Sequence, residues 1–429
     1  MLSLSKHEDK PAHDAQASPA MPELTRARAL RVFVPFAFGY FLSYLGRVVN
    51  AVLAPHLIAE FALDAADLGF LTSVYFLAFA AFQLPLGILL DRFGPRRINA
   101  GLILIAALGA FLFGAADGVA DLTVGRALMG LGVSACLMAP FTAYRLWFPD
   151  ARVALANGLL MACGGLGAIA GTTPVEFGIE LSGWRGVLAL YALAAVAASA
   201  LMFFVVPERG RTAAPPPISR QLRELAGILA DPLFVRVAGA TTVILGTFVG
   251  LQSLWIGPWL ADVAGLDGPD VADHLFRVAL GMAVGYAGMG VIADRLARWR
   301  VSTQAVALAA TLGLLVTQGA IIVLPPAAAG PLWILFTFLG ASNVLWYSAL
   351  YRSFPVEMAG RAATALNVFV FLGIFACQWG VGAIVNLWPR GPSGAYPAEA
   401  YQAAFTVLLA LELAGVGWYL FWRKARFRV

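Results

Sequence analysis

The chain has 429 residues, of which 60% are hydrophobic and only 12% charged, with a formal net charge of +5. A mean hydropathy of +0.80 lies far beyond the roughly half-apolar composition of an ordinary globular protein. This excludes a soluble enzyme or nucleic-acid-binding domain and predicts an all-α membrane protein, in which the basic excess reports topology.

Residues 1–30 open as a polar segment rich in Ala, Pro and Asp. They read as a disordered cytoplasmic tail, because no apolar core stands next to a cleavage site. A membrane span needs about 20 apolar residues. Twelve are expected, near 32–56, 68–90, 98–116, 121–146, 153–175, 186–206, 233–261, 275–293, 302–324, 331–352, 363–387 and 402–422. The first six make an N-terminal bundle over 31–206. Residues 207–231, with Pro215-Pro216-Pro217, form a cytoplasmic linker. The other six make a C-terminal bundle over 232–423, and 424–429 are a cytoplasmic tail. With both termini inside, all but five of the 29 Lys and Arg fall on cytoplasmic segments, as basic loops require. The five are Arg47, Arg126, Arg185, Arg277 and Arg390.

The bundles repeat one another. Gly87-Ile88-Leu89-Leu90-Asp91-Arg92 returns 203 positions later as Gly290-Val291-Ile292-Ala293-Asp294-Arg295, and Ala54-Pro55-His56-Leu57 returns in the same register as Gly257-Pro258-Trp259-Leu260. Trp147-Phe148-Pro149 is echoed at an offset of 206 by Ser353-Phe354-Pro355. Repeats of this size are how alternating-access transporters are built.

Individual residues sharpen the reading. Arg47 lies about ten residues from either end of the first span, where a charge costs at least roughly 2.5–3.5 kcal/mol and marks a functional candidate. Tyr40, Tyr44 and Arg47 share one helical face. Arg47 is either an anion anchor or a structural arginine tied to helix carbonyls or a buried carboxylate. Arg126, in the fourth span one turn from Asp121, is either a coupling residue or structural. Gln252, Trp255 and Trp259 form a stripe in the seventh span, Asn343, Trp346 and Tyr347 lie in the tenth, and Asn367 and Gln378 share a face of the eleventh. An amide in hydrocarbon needs a partner, so these groups outline a central polar and aromatic cavity. Glu412 in the twelfth span reads as a structural or interhelical hydrogen bond. Gly87 permits close helix approach, and Asp91 is placed to latch onto a neighbouring helix N-terminus; Arg92, Arg96 and Arg97 are part of that latch or merely topogenic. Cys136, Cys163 and Cys377 all fall inside spans, which argues against a disulfide framework or a zinc site.

From Arg31 to Arg423 the chain resembles the major facilitator superfamily. Gly87-x-x-x-Asp91-Arg92-x-Gly94-x-Arg96-Arg97 matches its loop signature, Gly290, Asp294 and Arg295 belong to a degraded copy, and Arg126-x-x-x-Gly130-x-Gly132 matches its fourth-helix motif. The resemblance implies two pseudo-symmetric six-helix bundles. It is greatest for the anion–cation symporter and the organic anion and nitrate porter-like branches. In the anion–cation symporter branch an arginine at the position of Arg47 contacts an anionic substrate, and in the family one at the position of Arg126 is linked with proton coupling. The two arginines that nitrate porters carry on helices 2 and 8 are missing. Two further departures narrow the class. The repeat places Gly250, not a second arginine, opposite Arg47, and Gly171-Thr172-Thr173-Pro174 breaks the drug-antiporter motif. The expectation is a monomeric secondary active transporter of the bacterial inner membrane, with both termini cytoplasmic, taking up a small carboxylate-like organic anion with a proton or other cation. The substrate site would comprise Tyr40, Tyr44, Arg47, Gln252, Trp255, Asn343, Tyr347 and Asn367. The alternative is a proton-coupled exporter of drugs or metabolites, and a third reading is a receptor built on a transporter fold. No cofactor, metal or nucleic-acid partner is expected; the other partners are the bilayer and the coupling ion.

Overall fold

The computed structural model describes residues 25–208, 217–354 and 356–422. The expected tails outside this range, and 209–216 of the expected linker, lie outside the described residues. Every regular element among the described residues is helical. The N-terminal half contains α1 (Arg26–Phe61), α2 (Ala65–Phe93), α3 (Pro95–Gly114), α4 (Val119–Gly132), α5 (Met138–Trp147), α6 (Asp150–Ala170) and α7 (Thr173–Val205). The short α8 (Ile218–Leu229) follows. The C-terminal half contains α9 (Pro232–Gly250), a π-turn (Leu251–Trp255), α10 (Ile256–Asp262), α11 (Gly268–Ala297), α12 (Thr303–Val323), α13 (Pro326–Gly340), α14 (Asn343–Ser353), α15 (Val356–Val385) and α16 (Ala398–Phe421).

Side chains at the span ends start these helices by satisfying the first free N–H groups. Thr25 caps α1, Asp64 and Asp67 form a reciprocal capping box on α2, Asp231 caps α9, Asp267 caps α11 and Ser302 caps α12. Ten helical stretches among the described residues are long and apolar enough to cross a bilayer, with Leu155–Ala170 as a shorter apolar helix. The remaining crossing is made by α4 and α5 together. Outward faces such as Leu108, Phe111, Leu190 and Val316 are exposed, as lipid-facing surfaces are.

Two expected boundaries shift. The expected disordered tail reaches residue 30, but α1 begins at Arg26; the expected linker 207–231 contains α8, whose Glu224 pairs with Arg361 of α15. Three expected spans are also broken. The fourth opens at 133–137, the tenth at 341–342, and the seventh carries the π-turn. In α7, Gly183 at φ 70° separates residues 173–182, which prolong α6, from the sixth crossing at 184–205. A break inside hydrocarbon frees backbone groups that must find partners within the protein. Gln83 donates to Ser134 O at 3.1 Å across the fourth-span break. Gln378 donates to Ser253 Oγ at 2.9 Å and Gly250 O at 3.5 Å at the π-turn. Gln378, expected to face a cavity, is therefore a brace.

The halves meet along two seams, α2 against α15 and α11 against α6 and α7, and α1 also packs against the π-turn and α10. The repeat relates these seams, since α2 corresponds to α11 and α6 to α15. The end of the molecule opposite the Arg92–Arg97 loop is stitched shut. Asn386 donates to Asp64 at 3.0 Å, Ala65 N donates to Tyr396 Oη at 3.1 Å, and Arg390 donates to Leu63 O. Thr173 donates to Ala272 O at 3.2 Å on the second seam.

Candidate functional site

The site begins with the way α1 is held. Three side chains from other helices donate to its carbonyls over one and a half turns: Tyr191 to Leu42 O at 3.1 Å, Tyr75 to Ser43 O at 3.1 Å, and Arg126 to Gly46 O at 2.7 Å and Arg47 O at 3.3 Å. Arg126 is wholly buried, with its guanidinium 4.6 Å from the Tyr75 ring centroid. The sequence placed it near Asp121; the structure brings it to the backbone of α1 instead. These bonds fix the rotation of α1, and with it the direction in which Arg47 points.

Arg47 is half-buried between the two halves. Its guanidinium carbon lies 4.5 Å from the Tyr44 ring centroid, 5.6 Å from Phe371 of α15 and 5.9 Å from Phe76 of α2. Phe371 stacks on Phe79 at 4.2 Å, closing the aromatic wall. The Arg47 Nε is buried without a hydrogen-bond partner, and no described carboxylate pairs with the guanidinium. Cation–π contacts of this kind contribute about 0.5–2 kcal/mol each and do not satisfy the Nε–H.

Around this cation the structure gathers most of the expected polar set. Tyr40 packs edge-on to Tyr44 at 5.1 Å, with its hydroxyl 3.7 Å from Met161 Sδ. Tyr347 donates to Asn367 Oδ1 at 2.6 Å, and Asn367 is one helical turn along α15 from Phe371. Asn343 donates to the Tyr286 hydroxyl at 3.3 Å, and Tyr286 of α11 faces Tyr44 and Arg47 across the seam. Sequence reasoning missed Tyr286. Its only signal was a lone phenol in a glycine-rich apolar span. Gln252 projects from the π-turn into a separate narrow cavity lined by Val48, Ala51, Gly171, Thr172 and Leu275.

Trp255 does not join them. It is buried, its Nε1 donates to Gln378 O at 3.0 Å, and its ring lies against Gly69 of α2. The side chain fills the α2–α15 seam and is no cavity wall. Trp259 likewise packs on Trp333 at 5.6 Å.

The loop signature is built within one half. Arg97 pairs with Glu208 at 2.6 Å, Arg96 pairs with it at 3.8 Å and donates to Val206 O at 3.1 Å, and Arg92 lies 5.7 Å from the Phe93 ring centroid. Gly94 ends α2 at φ 82°, a conformation that favours glycine. Asp91 is half-buried and engaged. The expected close approach at Gly87 is absent: neither Gly87 nor Gly290 has an atom within 4 Å of where a Cβ would stand. Asp294 and Arg295 are exposed.

The sequence profile of the Major Facilitator Superfamily matches residues 36–377. The chain belongs to the major facilitator superfamily. It is 27% identical over 81% of its length to a probable sulfoacetate transporter of Cupriavidus necator, covering 83% of that protein. It is 24% identical over 91% of its length to a probable nitrate/nitrite antiporter of Thermus thermophilus, covering 89% of it. Among solved structures it superposes on a bacterial homolog of the human lysosomal transporter Spinster with a TM-score of 0.77 at 17% identity, covering 94% of this chain and 98% of that one. A D-xylose–proton symporter gives 0.67 at 16% identity, covering 90% and 97%. This major facilitator is thus a multi-pass membrane transporter and not an enzyme.

Proposed function

We propose that this major facilitator takes up a small organic anion by alternating access, with a proton or another cation as the driving ion. The cell would be bacterial, the membrane its inner one, and both termini cytoplasmic. The observation that carries the reading is Arg47, a guanidinium at mid-depth whose Nε is buried without a hydrogen-bond partner and with which no described carboxylate pairs. A charge there is costly, and a carboxylate or sulfonate that accepts two parallel bonds offsets the cost. Because Gly250 stands opposite Arg47 in the repeat, one anionic group is matched and a second is not. The Tyr347–Asn367 and Asn343–Tyr286 pairs then take an uncharged polar end of the substrate. The names of the relatives, which include sulfoacetate and nitrate transporters, support the anionic class.

The same reading assigns a state. One end is stitched shut by Asp64, Asn386, Arg390 and Tyr396, whereas Gly87 and Gly290 face open space at the other. With the basic loops in the cytoplasm, the molecule is inward-facing. Arg126 serves coupling in this scheme through α1, by holding Arg47 in register rather than by exchanging a proton, since an arginine stays charged.

Purified protein in liposomes, with labelled isethionate, lactate, sulfoacetate, glucarate or nitrate supplied outside, tests the reading. The hydroxylated monoanions isethionate and lactate should accumulate when the outside is acidic, and a protonophore should abolish the accumulation. Transport of cationic or neutral drugs with no response to any of the anions would hand the function to the exporter alternative.

A further inference from the structure

Among the described residues, two side chains of charged type are wholly buried, Arg126 and Glu412. Arg126 is bound to the backbone of α1 and does not release its proton. Glu412, in the middle of α16, has no such explanation. Neither carboxyl oxygen has a hydrogen-bond partner. The helices packed against α16 are α9, α12 and α15, and they turn toward Glu412 only the neutral side chains of Gln318 and Cys377, with Thr247 beside Cys377. Of the cations on these helices, Arg236 donates to Tyr419 O, two turns away along α16, and Arg361 pairs with Glu224 of α8.

The donors and acceptors here do not balance. Gln318 gives its amide nitrogen to Phe405 O at 3.3 Å, and its Oε1 is buried without a donor. Together with the two oxygens of Glu412 this makes three acceptors for the one amide N–H that Gln318 has left. A protonated carboxyl supplies the missing O–H, whereas a buried carboxylate without a cation is not sustained.

We propose that Glu412 is a proton-binding site of the C-terminal half, and that its occupancy is transmitted to the substrate cavity through the π-turn. Glu412 faces Cys377 of α15. The Cys377 Sγ lies 2.7 Å from where a Cβ on Gly250 would stand, so α15 and the end of α9 touch there without slack. The next residue, Gln378, holds Gly250 O and Ser253 Oγ of the π-turn. Gln252 in that turn projects into the separate narrow cavity against α1, where it is joined by Val48, the neighbour of Arg47. A π-turn inside an α-helix is a strained insertion, often found at functional sites, and regularising it would move Gln252. The proton comes from water on one side of the membrane and returns to water on the other, so no further reactant is needed.

What the proton drives rests on the anion-transport reading, but its binding does not, and the test separates the two. In the first arm, infrared spectra of the purified protein in lipid are recorded across about pH 5–9, where buried carboxyls titrate, with Glu412→Gln as the comparison. A carboxylic-acid C=O band that fades reversibly as pH rises and is missing in Glu412→Gln is the expected result. No difference between the two proteins, or a band that never titrates, overturns the proposal. In the second arm, Glu412→Gln should lower pH-gradient-driven accumulation of isethionate by roughly 5–150-fold, the span of a coupling free energy, with isethionate exchange at the wild-type rate. Unchanged gradient-driven accumulation overturns the coupling. If Glu412→Gln proves unstable, Gln378→Met, which breaks the brace and leaves the carboxyl, should keep the infrared band and lose accumulation. If wild-type protein moves none of the anions while the band titrates, the anion reading fails and the proton site stands.

Discussion

Arg47→Lys should weaken anion binding by about 1.5–3 kcal/mol, the value of one hydrogen bond to a charged group, which corresponds to roughly a 10–150-fold rise in Kd. The change keeps the positive charge, so the loss isolates geometry. A guanidinium presents a planar fork to a carboxylate or sulfonate, and an ammonium presents one point charge on a flexible stem. In this protein the fork is also oriented from outside. Tyr44, Phe76 and Phe371 wall its faces, and Arg126, Tyr75 and Tyr191 pin the helix that carries it. A lysine cannot use those walls in the same way. Isothermal titration of purified protein with isethionate and with a neutral amide analogue measures the effect. The neutral compound should bind wild-type and Arg47→Lys alike. Equal affinity of both proteins for isethionate would return Arg47 to a structural role.

Gly130→Val should be the most destabilising single change in the N-terminal half. A Cβ at Gly130 would stand 2.0 Å from Tyr75 O and 2.7 Å from Tyr75 C, and one at Gly132 would stand 2.2 Å from Ala106 N. Helix α4 therefore touches α2 and α3 backbone to backbone, the close approach that small residues allow in membranes. Overpacking a core costs about 1–3 kcal/mol where side chains can shift; here the obstacle is main chain, so the cost should reach the top of that range or exceed it. Parting α4 from α2 also moves Tyr75 and Arg126 off the α1 carbonyls, so anion binding should fall with stability. Thermal unfolding in detergent measures the first effect and titration the second. Gly290→Val is the control. Its Cβ would meet no atom in this state, so the melting temperature should hold, while turnover should drop if the basic end must close during the cycle. A wild-type melting temperature for Gly130→Val would show that α2 can yield.

The crossings, the duplication and the placing of Arg47 inside a crossing were legible in the sequence for a shared reason. Each depends on local composition or on spacing along the chain. About 20 apolar residues span a bilayer whatever lies beside them, and a guanidinium within such a run is costly before any neighbour is known. Resemblance supplied the family and the Arg126 motif. The interior of three crossings was not legible. The breaks at 133–137 and 251–255 are braced by Gln83 and Gln378, partners remote in sequence, and the break at 341–342 has no signal of its own in the spacing of apolar residues.

The candidate site divides in the same way. Tyr40, Tyr44 and Arg47 share a helical face, which periodicity determines. That Arg126 reaches Gly46 O across 80 residues, that Trp255 gives its N–H to Gln378 O across 123, and that Tyr286 comes to face Arg47 are pairings between helices. A helical period says which residues lie on one side of a helix; it is silent on what packs against that side. For that reason Trp255 and Gln378, indistinguishable by sequence from cavity groups, became packing and bracing residues. Glu412, read as an interhelical bond, faces Gln318 of α12, but its two buried oxygens lack a close hydrogen-bond partner and no cation stands beside them.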